Sequence, residues 1–305
     1  MTGAARTDAL VRRIDELASA RTQANERFFA AEAERLAGCC HAMAERFARG
    51  GRLIAVGQGP VARSDARHVA VEFVHPVIVG KRALPAIGLA GEGGDVASQL
   101  EALAEGDDIL IAFSEDAQDE VQARAAVAVA RERGCQTIGF APTGAEWEFE
   151  IGSEDPFVDQ EIAETLYHVL WELVHVFFDH RGLLVGREAR PVHDTGGSSF
   201  LYPFLSESEK DLGAITDDVR QSVLMKSEEI GALREATLTE NREVLIEAAS
   251  ALRERLDAGG RLLAFGNGGS ATDAMDAVAD YRRPPHGWPS RAALDLTEDT
   301  SIITA

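Results

Sequence analysis

His68 and Glu72 stand four residues apart in Asp65-Ala66-Arg67-His68-Val69-Ala70-Val71-Glu72, a helical stretch, so both side chains leave one helix face. A histidine beside a carboxylate can move protons near neutral pH, although the same spacing also makes an ordinary surface pair. His168 lies in the apolar stretch TLYHVLWELVHVFF with Gln160 eight residues before it, and it reads either as a site residue or as a satisfied core histidine. Two residues eight apart in one helix are separated by roughly 12 Å, so Gln160 and His168 reach a common point only if Gln160 precedes the regular helix. A different chemistry belongs to Gly266-Asn267-Gly268-Gly269-Ser270, placed between a short apolar run and a helical pattern. There the backbone N–H groups and the Ser270 hydroxyl can converge on an anion, for which phosphate is the natural occupant. A tight turn needing glycine only for its backbone is the alternative. A dinucleotide fits less well, because Ala271 stands where that fingerprint needs its last glycine.

These residues sit in a repeated frame. Gly50, Gly51, Arg52, Leu53, Ala55, Gly57 and Gly59 recur at Gly259, Gly260, Arg261, Leu262, Ala264, Gly266 and Gly268, at a constant offset of 209. Such self-similarity marks a duplication. A long helical stretch, roughly 7–48 and 215–258, precedes each match, and an apolar run, a glycine turn and a helix follow it. The first half goes on through ALPAIGLA, DDILIAF, a helix near 118–133, CQTIGFA and a helix from about 159 to 179, an alternation that predicts a parallel sheet covered on both faces. The expected organisation is α/β: two doubly wound parallel-sheet units in tandem, 1–183 and 210–305, each preceded by a long helix and joined by a linker at 184–209. The second unit is expected to be incomplete, since two strands cannot bury both faces of a sheet, and the natural gene is expected to continue.

Acidic residues number 51 against 30 Lys and Arg, a formal charge of −21 that repels phosphate backbones and anionic lipid. Nucleic acid and membrane are therefore not expected as partners. No run approaches the ~20 apolar residues of a membrane helix and the first residues lack a signal-peptide core, so the expected location is the cytoplasm. Cys39, Cys40 and Cys135 fit no zinc spacing and read as reduced hydrophobes.

GNGGSATDAMDAVADY, followed by LDLTEDTSIITA, resembles the phosphoheptose isomerase branch of the sugar isomerase (SIS) family, whose signature is GNGGS-x-x-D-A-x-H-x-x-x-E and T-x-D-T-S. The resemblance covers about 1–183 and 210–305. It implies five-stranded parallel sheets, assembly as a homo-oligomer with sites at subunit interfaces, and a phosphorylated sugar as substrate. It implies a phosphate seat at Gly266, Asn267, Gly268, Gly269 and Ser270 with Thr300 and Ser301. It implies Glu72 and His168 as catalytic groups, and His68, Glu72, Gln160 and His168 as ligands of a zinc ion.

The two halves depart from that pattern in opposite ways. The first loop, Gly57-Gln58-Gly59-Pro60-Val61, is one residue longer and places Pro60 and Val61 where the family has glycine and serine. Glu115, Asp116, Asp119 and Glu120 replace the hydroxyls of the family's second phosphate loop, and like charges ~4 Å apart cost on the order of kilocalories. In the second half Asp276 and Asp280 replace the His and Glu, a pair that could still hold a divalent ion. One half thus keeps the proton-transfer set and the other the phosphate loop, which predicts an intrachain pseudo-dimer with a composite site. The expected activity is aldose–ketose isomerisation of sedoheptulose 7-phosphate to a heptose 7-phosphate. A non-catalytic SIS module that binds sugar phosphate or protein is the rival, and a nicotinamide-dependent dehydrogenase a weaker one.

Overall fold

The computed structural model describes residues 3–76, 81–90, 94–153, 155–179, 212–284 and 287–297. The linker 184–209, Thr300 and Ser301 lie outside them.

The first half is built on β1 (Leu53–Val56), β2 (Ala86–Leu89), β3 (Ile109–Ala112), β4 (Gln136–Gly139) and β5 (Trp147–Glu148). They form one parallel sheet in the order β2-β1-β3-β4-β5. Period-2 alternation divides each central strand between two cores. Leu53, Ala55, Ile109 and Ile111 face α1 (Gly3–Arg49), α2 (Pro60–Val74) and α5 (Pro156–Asp179). Ile54, Val56, Leu110 and Ala112 face α3 (Val96–Leu103) and α4 (Ala117–Glu132). Burial on both faces is why these strands read as continuous apolar runs.

Local chemistry fixes where the helices start. Pro60 opens α2, where its missing N–H costs nothing. Asp116 caps α4 by accepting from the N–H groups of Gln118 and Asp119. At the other end of the sheet Asp108, buried, accepts from the Arg52 backbone N–H at 2.8 Å and from its guanidinium at 2.7 Å, tying the start of β1 to the start of β3.

The second half supplies α6 (Leu212–Glu240), α7 (Arg242–Asp257), β6 (Leu262–Ala264), α8 (Gly269–Arg282) and β7 (Ala293–Asp295). Sequence predicts one helix over 215–258, but the helix is interrupted at Asn241, whose side chain joins its backbone N–H in donating to the Thr237 carbonyl. β6 and β7 pair in parallel as a separate two-stranded sheet. Among the described residues the second half therefore repeats only the strand–loop–helix–strand opening of the first, not a complete doubly wound unit.

The halves are not independent bodies. Ile215, Val219 and Val223 of α6 belong to the core that holds α1 and α5. Asn25 of α1 donates to Ser227 Oγ at 2.7 Å, and the helices are close at Gly231, where a Cβ would come 2.9 Å from Thr22 Cγ2. By contrast, Leu263, Phe265 and Leu294 on the small sheet are exposed, and α7 buries no residue.

Candidate active site

The glycine loops leave their strands alike. A Cβ on Gly57 would strike the Ala62 carbonyl oxygen at 1.9 Å, and one on Gly266 would strike that of Ser270 at 2.1 Å. Only glycine lets the following helix fold back so closely. The blocking carbonyl comes five residues on in the first loop and four in the second, so the extra residue sits where α2 begins.

Helices α2 and α8, which follow the two loops, pack on each other. Ser64 Oγ donates to the Thr272 carbonyl at 3.0 Å, and the Arg67 guanidinium lies 3.5 Å from Met275 Sδ. This contact carries the second loop to the first half's histidines. A Cβ built on Gly269 would lie 3.4 Å from His68 Nε2.

His68 is buried, with Nδ1 2.8 Å from the Tyr167 hydroxyl. Burial, then the neighbouring His168, lowers its pKa against the opposing pull of Asp273 and Glu72, so the ring stays neutral. His168 stands 5.0 Å from His68, ring centre to ring centre, and its Nδ1 is 3.5 Å from Glu72 Oε1. His68, Glu72, His168 and Gly269 are thus brought together, with the half-buried Glu72 between a neutral imidazole and a more open one. Asn267, Gly268 and Ser270 are exposed at the mouth of the second loop.

Gln160 is not brought into this group. It lies inside α5, two turns before His168, about 12 Å along the helix axis. Of the four residues assigned to zinc by resemblance, Gln160 and His168 are thus two turns apart on one helix. Among the described residues no group of three or more His, Cys, Asp and Glu is arranged to hold a metal ion.

Two site residues escaped sequence reasoning. Tyr167 looked like part of an apolar helix, yet its hydroxyl fixes His68. Burial, then Asp65 and further carboxylates, keeps this phenol protonated far beyond the ordinary range. Glu164 precedes His168 by one turn, and burial, then Asp273, raises its pKa to about 7, with His168 opposing. The i,i+4 spacing of Glu164 and His168 was the available signal. In the second half Asp276 is pushed up to about 8 by burial and then by Glu164, while Asp280 rises to about 6 through burial and Glu115. A protonated Asp276 is a poor cation ligand.

A five-stranded parallel sheet with a glycine loop opening the helix after its first strand is the plan of a SIS domain, and the SIS domain family model matches residues 227–282. A phosphoheptose isomerase of Solidesulfovibrio magneticus is 32% identical over 186 residues, covering 54% of this chain and 88% of its own. One from Pelobacter propionicus is 30% identical over 152 residues, covering 43% of this chain and 79% of its own. The chain belongs to the phosphoheptose isomerase family, a family of isomerases. A solved phosphoheptose isomerase from Francisella tularensis aligns over 57% of this chain and 98% of its own at 22% identity, with a TM-score of 0.42.

Among the described residues no helix is long and apolar enough to cross a membrane. Cys39, Cys40 and Cys135 are free and buried, and burial raises the Cys40 and Cys135 thiols.

Proposed function

We propose that the protein interconverts a ketose phosphate and an aldose phosphate, with sedoheptulose 7-phosphate as the ketose, at a composite site made by both halves. The observation that carries this reading is the closeness of Gly269 to His68, which sets a phosphate-type loop near the Glu72–His168 pair. In this reading the Gly269 and Ser270 N–H groups and the Ser270 hydroxyl hold the phosphate at the positive end of α8. Glu72 takes the proton from C1 of the ketose while His168 delivers one to the C2 carbonyl oxygen, giving the enediol. Removal of the C1 hydroxyl proton by His168 and return of the carbon proton to C2 by Glu72 complete the aldose. Glu164, with a pKa near 7, is a second group suited to exchanging protons with His168. No step is routed through a metal ion.

The packing of α2 on α8 supports an intrachain pseudo-dimer in which the chain supplies both partners of the site. The test is turnover of sedoheptulose 7-phosphate by the purified protein beside its Glu72→Gln variant. Glu72→Gln keeps the shape and removes the base, so binding is expected to survive while kcat falls by about 10²-fold or more. A parent that binds the sugar phosphate without turning it over would instead leave the non-catalytic SIS module.

A further inference from the structure

If the chain is a pseudo-dimer, each composite site needs a glycine loop from one half and a proton-transfer set from the other. Two such sites are possible by the pseudo-symmetry, and the first loop, Gly57–Val61, belongs to the second of them. Its surroundings differ from those of Gly266–Ser270 in one respect that decides what it can bind.

Carboxylates of the same chain already occupy the anion side of this loop. The Val61 N–H donates to Glu115 Oε2 at 3.2 Å. Pro60, one residue earlier, has no N–H to offer. A Cβ on Gly59 would come 2.0 Å from Asp119 Oδ2 and 2.6 Å from Glu115 Oε2, so both carboxylates lie directly against the loop backbone. Asp119 is nine-tenths buried, and its carboxylate faces the start of α2 with the Gly59 backbone N–H as a partner. The capping bond from Asp116 to the Asp119 N–H fixes the first turn of α4 that carries it. A cavity of about 10 Å³, room for no more than a single water, lies beside Gly57, Gln58 and Asp119 on the α4 side of the loop, and a larger one of about 250 Å³ opens beside Pro60 and Arg283. Arg283, from the second half, is an electrostatic partner of both carboxylates and offsets their mutual repulsion. Among the described residues no carboxylate accepts a hydrogen bond from Gly268, Gly269 or Ser270, whose near neighbour is the neutral imidazole of His68.

We infer that Glu115 and Asp119 fill the anion seat of the first loop from within, so that the chain carries two pseudo-equivalent phosphate loops but binds phosphate at only one. The inference extends the phosphate reading of the loops. These two residues thereby decide which composite site accepts substrate. The closed one is the site whose facing helix carries Asp276 and Asp280 in place of a histidine and a glutamate.

Titration calorimetry of the full chain with inorganic phosphate tests this. The parent is expected to bind one phosphate per chain, and Glu115→Ser/Asp119→Ser is expected to bind one more than the parent. Two phosphates in the parent, or no gain in a double variant with parental circular dichroism, would overturn the inference. A parent that binds none beside a variant that binds one would leave it standing and remove the phosphate reading of Gly266–Ser270 instead. Amide resonances of the parent give a reading independent of whether the variant folds. On addition of phosphate those of Gly268, Gly269 and Ser270 are expected to shift while Gly59 and Val61 stay in place, and movement of Gly59 and Val61 would count against the proposal.

Discussion

Gly269 and His68, far apart in sequence, are neighbours in the fold: a Cβ added to Gly269 would sit 3.4 Å from His68 Nε2. The closeness exists because α2 and α8 lie on each other, with Ser64 bonded to the Thr272 carbonyl. It joins a loop with open anion donors to a set of paired histidines and glutamate. Neither half holds both.

Substitutions at Gly269 measure how much of the activity depends on this closeness. Alanine places one methyl at the edge of ordinary contact, whereas the branches of valine must displace the imidazole or the loop. Overpacking of that kind costs about 1–3 kcal/mol. Gly269→Val is expected to lower kcat/KM for sedoheptulose 7-phosphate by about tenfold or more, with Gly269→Ala close to the parent. Equal values for valine and parent would mean that the loop and His68 do not share a substrate.

Tyr167 acts through His68 and is a positioning residue. Its hydroxyl lies 2.8 Å from Nδ1, while Nε2 is the ring nitrogen that faces the loop. Tyr167→Phe frees Nδ1 to take a proton, so the His68 pKa, held low in the parent by burial and His168, is expected to rise. Ring resonances followed against pH report this directly, and the acid limb of the pH–rate profile should move upward with it. Loss of stability with no change in either profile would reduce Tyr167 to a packing group.

The sequence made the sheet and both glycine loops legible because doubly buried strands and strand–turn–helix junctions leave strong local patterns. Leu53–Val56 and Ile109–Ala112 are continuous apolar runs, and Gly57 and Gly266 stand where no side chain fits. His68, Glu72 and His168 could be chosen by type and spacing. What could not be read was the packing of α2 on α8 and of α6 on α1, because helices rich in Ala, Ser and Thr carry little directional signal about their partners. Tyr167 and Glu164 were missed for a related reason. Their importance comes from burial beside groups of the other half, such as Asp273, which no local window contains. The Gln160–His168 separation, in contrast, follows from helical rise alone, and both residues are indeed in one helix.

Raised carboxyl pKa values make stability depend on pH. Asp276 titrates at about 8 and Glu164 at about 7 in the folded chain, against ordinary values of 3.8 and 4.5. Between about pH 4 and 8 the native state therefore holds more protons than the unfolded state, so stability falls as pH rises through that window. The contribution is complete below pH ~4 and is lost as pH passes 7 to 8. Urea denaturation of the parent is expected to show a loss of at least ~1.4 kcal/mol, the worth of one pKa unit, between pH 5.5 and 8.5. Asp276→Asn removes the group with the largest of these shifts while keeping the shape of the side chain, and it should flatten the profile. An equally steep fall in Asp276→Asn would place the titrating group elsewhere.

Ser270 offers the most direct separation of binding from chemistry. Its hydroxyl and N–H stand in the first turn of α8, where the helix end favours an anion, and its exposure leaves them open to a ligand. Ser270→Ala deletes one hydrogen bond to a charged group and is expected to weaken sugar-phosphate binding by about 1–3 kcal/mol. That corresponds to roughly 5- to 150-fold in Kd, since 1.4 kcal/mol is tenfold. The chemical groups are untouched, so kcat at saturating substrate should stay within about twofold of the parent, the opposite of Glu72→Gln. Isothermal titration with sedoheptulose 7-phosphate, paired with steady-state kinetics, reads both quantities. An unchanged Kd in Ser270→Ala would take the phosphate away from the Gly266–Ser270 loop. A kcat that collapsed together with Kd would mean that Ser270 also touches the reacting carbons.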